Sequence, residues 1–287
     1  MILSTLDKSR KGGAYEQIPS LVLGQRWTPQ LNSRNMMKVV LCVWIEPYIE
    51  NDLSFCVWPV HTPTTSKEVL TLSASTSPLP YTGNKSCIVN TILSVMPKHT
   101  VYIDPCMGSA EVFFRKPRAE KEILNDYNGD LVNLFRVIQN NEKLAYLLGR
   151  LYLSINGELA FKQNKDRLKG VPNILDDVIE TSQIFYDASW EDIQNAAAFL
   201  ENQVYSFSST GQTFGIARRD MSQRLPRLMS AYNRIRDAII LHRDYKDVIT
   251  YAACPGSFIL LDPPYKGTED MYSKANFDIE QHDILFS

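Results

Sequence analysis

The sequence lacks a long apolar run. The longest near the N-terminus, Val39 to Ile45, has seven residues, against the about 20 that a spanning helix needs. Mixed residues precede that run, so it does not read as a signal peptide, and a soluble, cytoplasmic protein with no membrane partner is expected. Cysteines are few: Cys42, Cys56, Cys87, Cys106 and Cys254 are odd in number and none has C-x-x-C spacing. That argues against a disulfide framework or a zinc site, and for reduced thiols. His61, His99, His242 and His282 show no metal spacing, so no metal is expected. Charge of either sign is not in excess, 30 basic against 32 acidic residues, and only its distribution can speak of a nucleic-acid partner. Internal repeats are absent. What remains is ordinary: 287 residues, 44% apolar and 22% charged, which excludes collagen-like, mucin-like or wholly disordered chains and leaves room for one to two domains.

Residues 1–77 read differently from the rest. Met36 to Val60 is apolar and β-rich but broken by Pro47 and Pro59, and Thr62 to Pro78 carries nine Ser or Thr in 17 positions, the composition of a linker. No chemical constellation falls before residue 78, so 1–77 is expected to be an N-terminal extension. From there the pattern is α/β. Val101 to Asp104 reads as a strand, followed by a small-residue turn and a helix start at Val112, Phe113 and Phe114. Glu122 to Asn125 is a second strand. Leu131, Leu134, Phe135 and Ile138 form the i, i+3, i+4, i+7 stripe of an amphipathic helix. Ser189 and Asp192 resemble a capping box opening a helix to about Tyr205. A further helix is expected over about 222–242, with Leu225, Leu228, Met229, Tyr232, Ile235 and Ile239 on one face. Ser257 to Leu261 is a buried parallel strand by its unbroken apolar character. Strands alternating with helices, plus a helical insertion, predict a doubly wound sheet.

Three polar clusters fall at predicted strand ends, where open parallel sheets bind ligands. In Asp104-Pro-Cys-Met-Gly-Ser-Ala110, small residues let a backbone approach a ligand, with helix N–H groups facing it. Alone, any sharp strand-to-helix turn could look like this. Asp126 lies 18 residues beyond Gly108, near the spacing of about 20 at which an acid meets ribose hydroxyls in dinucleotide folds; a helix cap is the plain alternative. The third cluster, Asp262-Pro263-Pro264-Tyr265, is the most specific. Two prolines fix φ and remove two N–H donors, leaving the backbone carbonyls and the Asp262 carboxylate as rigid acceptors beside an aromatic face. That set suits an exocyclic amine.

Here the chain resembles the D12 class of N6-adenine DNA methyltransferases. The D-P-P-Y segment, the 104–110 turn and Asp126 carry the likeness. Pro80 to Ser86 is similar to the family's opening motif, Asn125 to Phe135 to its second, Phe207 to Gly215 to its target-recognition segment, and Arg243 to Ile249 to its third. Tyr81 stands where the family usually has Trp, Asn84 where it has Gly, Cys106 where it has Phe, and Ala110 where it has a second Gly. The resemblance implies a Rossmann-like doubly wound sheet of S-adenosylmethionine-dependent methyltransferases with a helical target-recognition insertion. It divides the chain into a cofactor half (78–135), a recognition region (136–240) and a catalytic segment (241–287) that ends early for the family. It implies S-adenosylmethionine held by Tyr81, Gly83, Lys85, Asp104, Gly108, Asp126, Asp244 and Asp262. A flipped-out adenine would meet Asp262, Pro263, Pro264 and Tyr265, and double-stranded DNA would be the substrate, with a restriction endonuclease as counterpart. Between Ala217 and Lys246 the net charge is +5, which fits phosphate neutralisation by Arg218, Arg219, Arg224 and Arg227. RNA as substrate, and a fragment that binds cofactor or DNA without turnover, are the alternatives.

Overall fold

The computed structural model describes residues 76–176, 189–217 and 219–263, with the backbone of two strands further upstream. In chain order the elements are β1 (Val22–Gly24), β2 (Val39–Trp44), α1 (Val89–Val95), β3 (Val101–Asp104), α2 (Glu111–Arg115), β4 (Lys121–Asn125), α3 (Gly129–Gln139), α4 (Asn141–Tyr152) and α5 (Glu158–Lys169). They continue with α6 (Trp190–Tyr205), α7 (Leu225–Ile235), β5 (Ile239–Leu241), α8 (Tyr245–Ala252) and β6 (Ser257–Leu261). The described strands form one sheet in the order β1-β2-β6-β3-β4-β5, parallel throughout except at β1.

From β3 to β6 the sheet is buried on both faces, and the side chains alternate between two cores as a strand period of two requires. Tyr102, Leu124, Ile240, Phe258 and Leu260 enter the larger core, packed among residues of α1, α2, α3, α6 and α7. Ile103, Ile123, Leu241 and Ile259 point the other way, onto Val248 and Ala252 of α8. The α3 stripe is buried as its spacing predicts, and Asn128 caps that helix by accepting from the Asp130 N–H. The capping box of α6 is present in full, Ser189 and Asp192 each bonding the other's backbone N–H. Under β4 lies a buried charge cluster. The Glu122 carboxylate takes Arg234 at 2.5 and 2.8 Å and Lys116 at 2.5 Å, while the Arg234 guanidinium lies over the Phe113 ring.

Two expectations need correction. The helix expected over about 222–242 is a 3₁₀ turn at Met221–Arg224 and then α7, which ends at Ile235. Ile239 leaves the helical face and pairs with Ile123 as part of β5, because the edge of β4 offers an unbroken ladder that a longer helix could not use. The recognition region therefore returns to the sheet just before residue 240. The boundary drawn at residue 77 also differs from the sheet: Val39–Trp44, within the expected extension, pairs in parallel with β6 from Val39↔Phe258 to Cys42↔Leu261. No described helix is long and apolar enough to cross a membrane.

Candidate active site

The chain runs β3, β4, β5 outward along the sheet and then returns to place β6 on the other side of β3. The strand order therefore reverses between β3 and β6, and a crevice opens at their carboxyl ends, where such sheets bind ligands. A cavity of about 430 Å³ lies there. It is lined by Tyr81, Gly83, Lys85, Asp104, Gly108, Asp126, Asp244, Asp262 and Pro263, which the sequence reading had singled out one by one. Pro264, Tyr265 and Arg218 lie outside the described residues.

Each strand end is tied to its neighbours. Asn125, fully buried at the end of β4, donates to the Pro105 and Arg243 carbonyls and accepts from the Arg243 N–H. One amide thus joins the turn after β3, the end of β4 and the segment after β5. Asp126 accepts from the Gly108 N–H at 2.9 Å and from the Asn128 N–H at 2.9 Å, pinning the β3 turn to the start of α3. That turn is tight, with Gly108 at φ 48° and Ala110 at φ 55°. Gly108 brings its backbone beneath the Tyr81 ring, and the Tyr81 hydroxyl accepts from the Asn128 amide. Asp244 caps α8 by accepting from the Lys246 N–H.

The electrostatics follow from crowding acids at one sheet edge. Asp104 is 2% exposed. Its burial raises its pKa to about 8; the hydrogen bond from Tyr102 opposes this, and the charges of Asp262 and Asp126 add to it. Asp126 is raised to about 6 by desolvation, against the backbone N–H groups it accepts from. Asp262 is met by Lys85, whose ammonium lies 2.5 Å from the carboxylate and also donates to the Gly83 carbonyl. The sequence reading gave Lys85 to the cofactor; the structure brings it to the aspartate of the D-P-P-Y segment. Asp104 Oδ1 has no hydrogen-bond partner among the described residues, so the cavity presents a polar group to whatever enters.

The opposite wall comes from the helical insertion between β4 and β5, expected from the sequence to be a recognition region. Phe199, Asn202 and Gln203 of α6, Lys165 and Lys169 of α5, and the turn Thr210–Gln212 all line the cavity. The Lys165 ammonium donates to the Gln212 carbonyl, and the Thr82 hydroxyl to the Ser209 carbonyl, which holds the turn over the crevice. Sequence reasoning gave no role to Phe199, Asn202, Gln203, Lys165 or Lys169, since single side chains on helices carry no motif; Asn125 and the turn Thr210–Gln212 fall within segments it had singled out, without the bonds they make. Arg219, Arg224 and Arg227 form a like-charged group outside the cavity. Burial lowers the Arg224 pKa, and the charges of Arg227 and Arg219 act in the same direction. Arg219 itself donates to the Val204 carbonyl.

A parallel, doubly wound sheet with a polar crevice at its switch point defines the Rossmann-like class, and acids at the ends of β3, β4 and β6 line that crevice. The profile of the D12 class N6 adenine-specific DNA methyltransferases matches residues 81–286, and the chain belongs to that family. It is also 23% identical over 192 residues to the Type II methyltransferase M1.LlaDCHI of Lactococcus lactis subsp. cremoris. That match covers 64% of each chain, so the chain spans under two thirds of this relative's length.

Proposed function

We propose that this chain transfers a methyl group from S-adenosylmethionine to the exocyclic N6 of adenine in double-stranded DNA, with the base turned out of the stack. The observation that carries this reading is one cavity with Asp104 at the end of β3 facing it from one side of the switch point and Asp262, at the end of β6, from the other. The bound cofactor supplies an electrophilic methyl on a sulfonium. The residues do the rest. Asp126 has lone pairs left for ribose hydroxyls after accepting from Gly108 and Asn128. Asp244 and the Tyr81 ring border the space for the cofactor's adenine, and the Gly108 turn that for its methionine part. The Asp262 carboxylate and the Pro263 carbonyl accept the two N–H bonds of the target amine, and Pro264 and Tyr265 complete the stiff turn and its stacking face. Accepting both N–H bonds draws the nitrogen lone pair out of the ring and aims it for in-line attack. With the methyl transferred, the S–C electron pair would stay on sulfur and the cationic nitrogen would lose its proton to solvent water, so Asp262 need only orient. Lys85 fixes that orientation through its short contact with the carboxylate.

Arg219, Arg224 and Arg227, with Arg218, are the proposed phosphate contacts. The Type II designation of the Lactococcus relative supports a restriction endonuclease as counterpart, and the cytoplasm as the place of action. The test is direct: labelled S-adenosylmethionine, unmethylated duplex DNA, and mass spectrometry of the digested product. N6-methyladenine from the parent and none from Asp262→Ala is the expected result. Methylated cytosine, or N6-methyladenine from Asp262→Ala, overturns the assignment.

A further inference from the structure

Gln203 sits in the last turn of α6 and is 6% exposed. Its side chain lines the cavity, and its Oε1 has no hydrogen-bond partner among the described residues. A buried amide oxygen left without a donor is costly, so a ligand that brings an N–H to it gains that cost back on binding. The surroundings are built for this amide. Gly211 turns at φ +71°, and a Cβ on it would lie 2.9 Å from Gln203 Nε2. The glycine therefore does two things: it makes the turn, and it leaves the space the amide occupies. Ser206 Oγ holds the same turn by accepting from the Gly211 N–H, and it donates to the Gln203 carbonyl, so helix end and turn move together.

We propose that Gln203 Oε1 is a ligand-binding acceptor of the cavity, taking an N–H from an amine bound there. This rests on the methyltransferase reading, which offers two sources of that chemistry: the α-ammonium of the cofactor's methionine part and the exocyclic amine of the extruded adenine. Asp262 and Gln203 then grip the contents of the cavity from its two walls, the sheet edge and the recognition region. The acceptor is a specificity device, because a ligand without the amine leaves it unsatisfied.

The test uses the full chain, with Gln203→Met to remove the acceptor at similar shape and Gln203→Glu to keep it. Calorimetry compares S-adenosylhomocysteine with 5′-methylthioadenosine, which lacks the ammonium. Saturation-transfer NMR with S-adenosylhomocysteine present compares 2′-deoxyadenosine with purine 2′-deoxyriboside, which lacks the exocyclic amine. A loss of about tenfold or more for the amine-bearing member of one pair in Gln203→Met supports the proposal, provided its amine-free partner is unchanged and Gln203→Glu retains binding. The pair affected identifies the source. Equal binding of all four by Gln203→Met and the parent overturns it, as does a Gln203→Glu chain weakened equally towards both members of each pair. If Gln203→Met does not melt cooperatively, the Gln203→Glu comparison decides alone: an altered ratio of affinities within either pair supports the proposal, and unchanged ratios in both pairs overturn it. A parent that binds none of the adenosine ligands sinks the methyltransferase reading as well. A parent that binds them with Gln203 inert sinks only this one.

Discussion

The two walls of the cavity are made differently. The sheet-edge wall is held from within. Asn125 bonds two segments at once, Asp126 accepts from two backbone N–H groups, and Lys85 closes on Asp262. The recognition wall is held loosely by comparison. Its turn rests on separate bonds from the Lys165 ammonium, from the Thr82 hydroxyl and to Ser206 Oγ, and Ile216 beyond the turn is 97% exposed. Its arginines repel one another. Under the proposed function, one wall is preorganised for a small ligand and the other keeps groups in reserve for a large polyanion. On that contrast, substitutions on the sheet side change chemistry or folding, and those at Arg219, Arg224 and Arg227, outside the cavity, change DNA affinity alone.

The largest effect is expected at Asp262. Asp262→Ala should lower methyl transfer by roughly 10³-fold or more, since it removes an orienting acceptor in a water-poor site, while S-adenosylhomocysteine still binds by calorimetry. Loss of both together would mean that Asp262 holds the cofactor as well as the target amine. Behind the sheet, Glu122→Ala should cost about 3–5 kcal/mol in denaturant unfolding, because it strands Lys116 and Arg234 beneath β4 without their counter-charge. Burial already lowers the Lys116 pKa to about 8 even with Glu122 in place. A change below about 1 kcal/mol, the range of surface pairs, would show that this cluster is wetter than its burial implies.

The contrast also explains what could be read in advance. The sheet-edge wall was legible because each piece is local: a short apolar strand followed by an acid or a small-residue turn. Asp104, Asp126 and Asp262 follow that rule, Asp244 came only from the likeness of Arg243 to Ile249 to the family's third motif, and all four reach the cavity. What joins the pieces was not legible. Nothing near Lys85 says that its partner is Asp262, and nothing near Val39–Trp44 says that it pairs with β6. The helix expected to 242 failed for a related reason. Ile239 falls four residues after Ile235, on the same helical face, and no glycine or proline marks the turn at Arg236 to Ala238. The ladder with β4, far away in sequence, decides the matter. Gln203 is the extreme case: one amide in a helix, given meaning only by Gly211 across the turn.

A pH experiment sharpens the sheet-side half of the comparison. Asp104 has an ordinary value near 3.8 in the unfolded chain and about 8 in the folded one. Its favourable contribution is complete below about 3.8, erodes as pH rises and is exhausted near 8. Asp104→Asn has no such loss. The melting temperature of Asp104→Asn minus that of the parent should therefore rise from pH 5 to pH 8 and then level off. A flat difference would mean that the carboxyl group is solvated by water in the free protein. The same variant should leave DNA retention unchanged.

On the recognition side, Arg224→Ala and Arg227→Ala should each weaken DNA binding without touching S-adenosylhomocysteine affinity. Each should reduce the slope of log affinity against log salt by about 1 if it meets one phosphate. Relief of repulsion among Arg219, Arg224 and Arg227 adds a second signature: either single variant should be no less stable than the parent in the absence of DNA. Weakened cofactor binding in these variants would dissolve the division between the walls.

The smallest effect tests the one place where the preorganised wall is strained. Ala110 opens α2 at φ 55°, in the left-handed region, where a Cβ costs about 1–2 kcal/mol. Glycine avoids that cost but loses more backbone entropy on folding, about 0.5–1 kcal/mol relative to alanine. Ala110→Gly should therefore gain between about 0 and about 1.5 kcal/mol in chemical unfolding, the difference between these terms. The Ala110 side chain is also buried in the larger core, so the lost methyl opposes the gain. The sign of the measured change decides which dominates. A gain says that the turn over the cavity is held in its conformation against strain by its bonds to Asn125 and Asp126. A loss says that packing against the core sets the turn, and that the rigidity of this wall comes from beneath it.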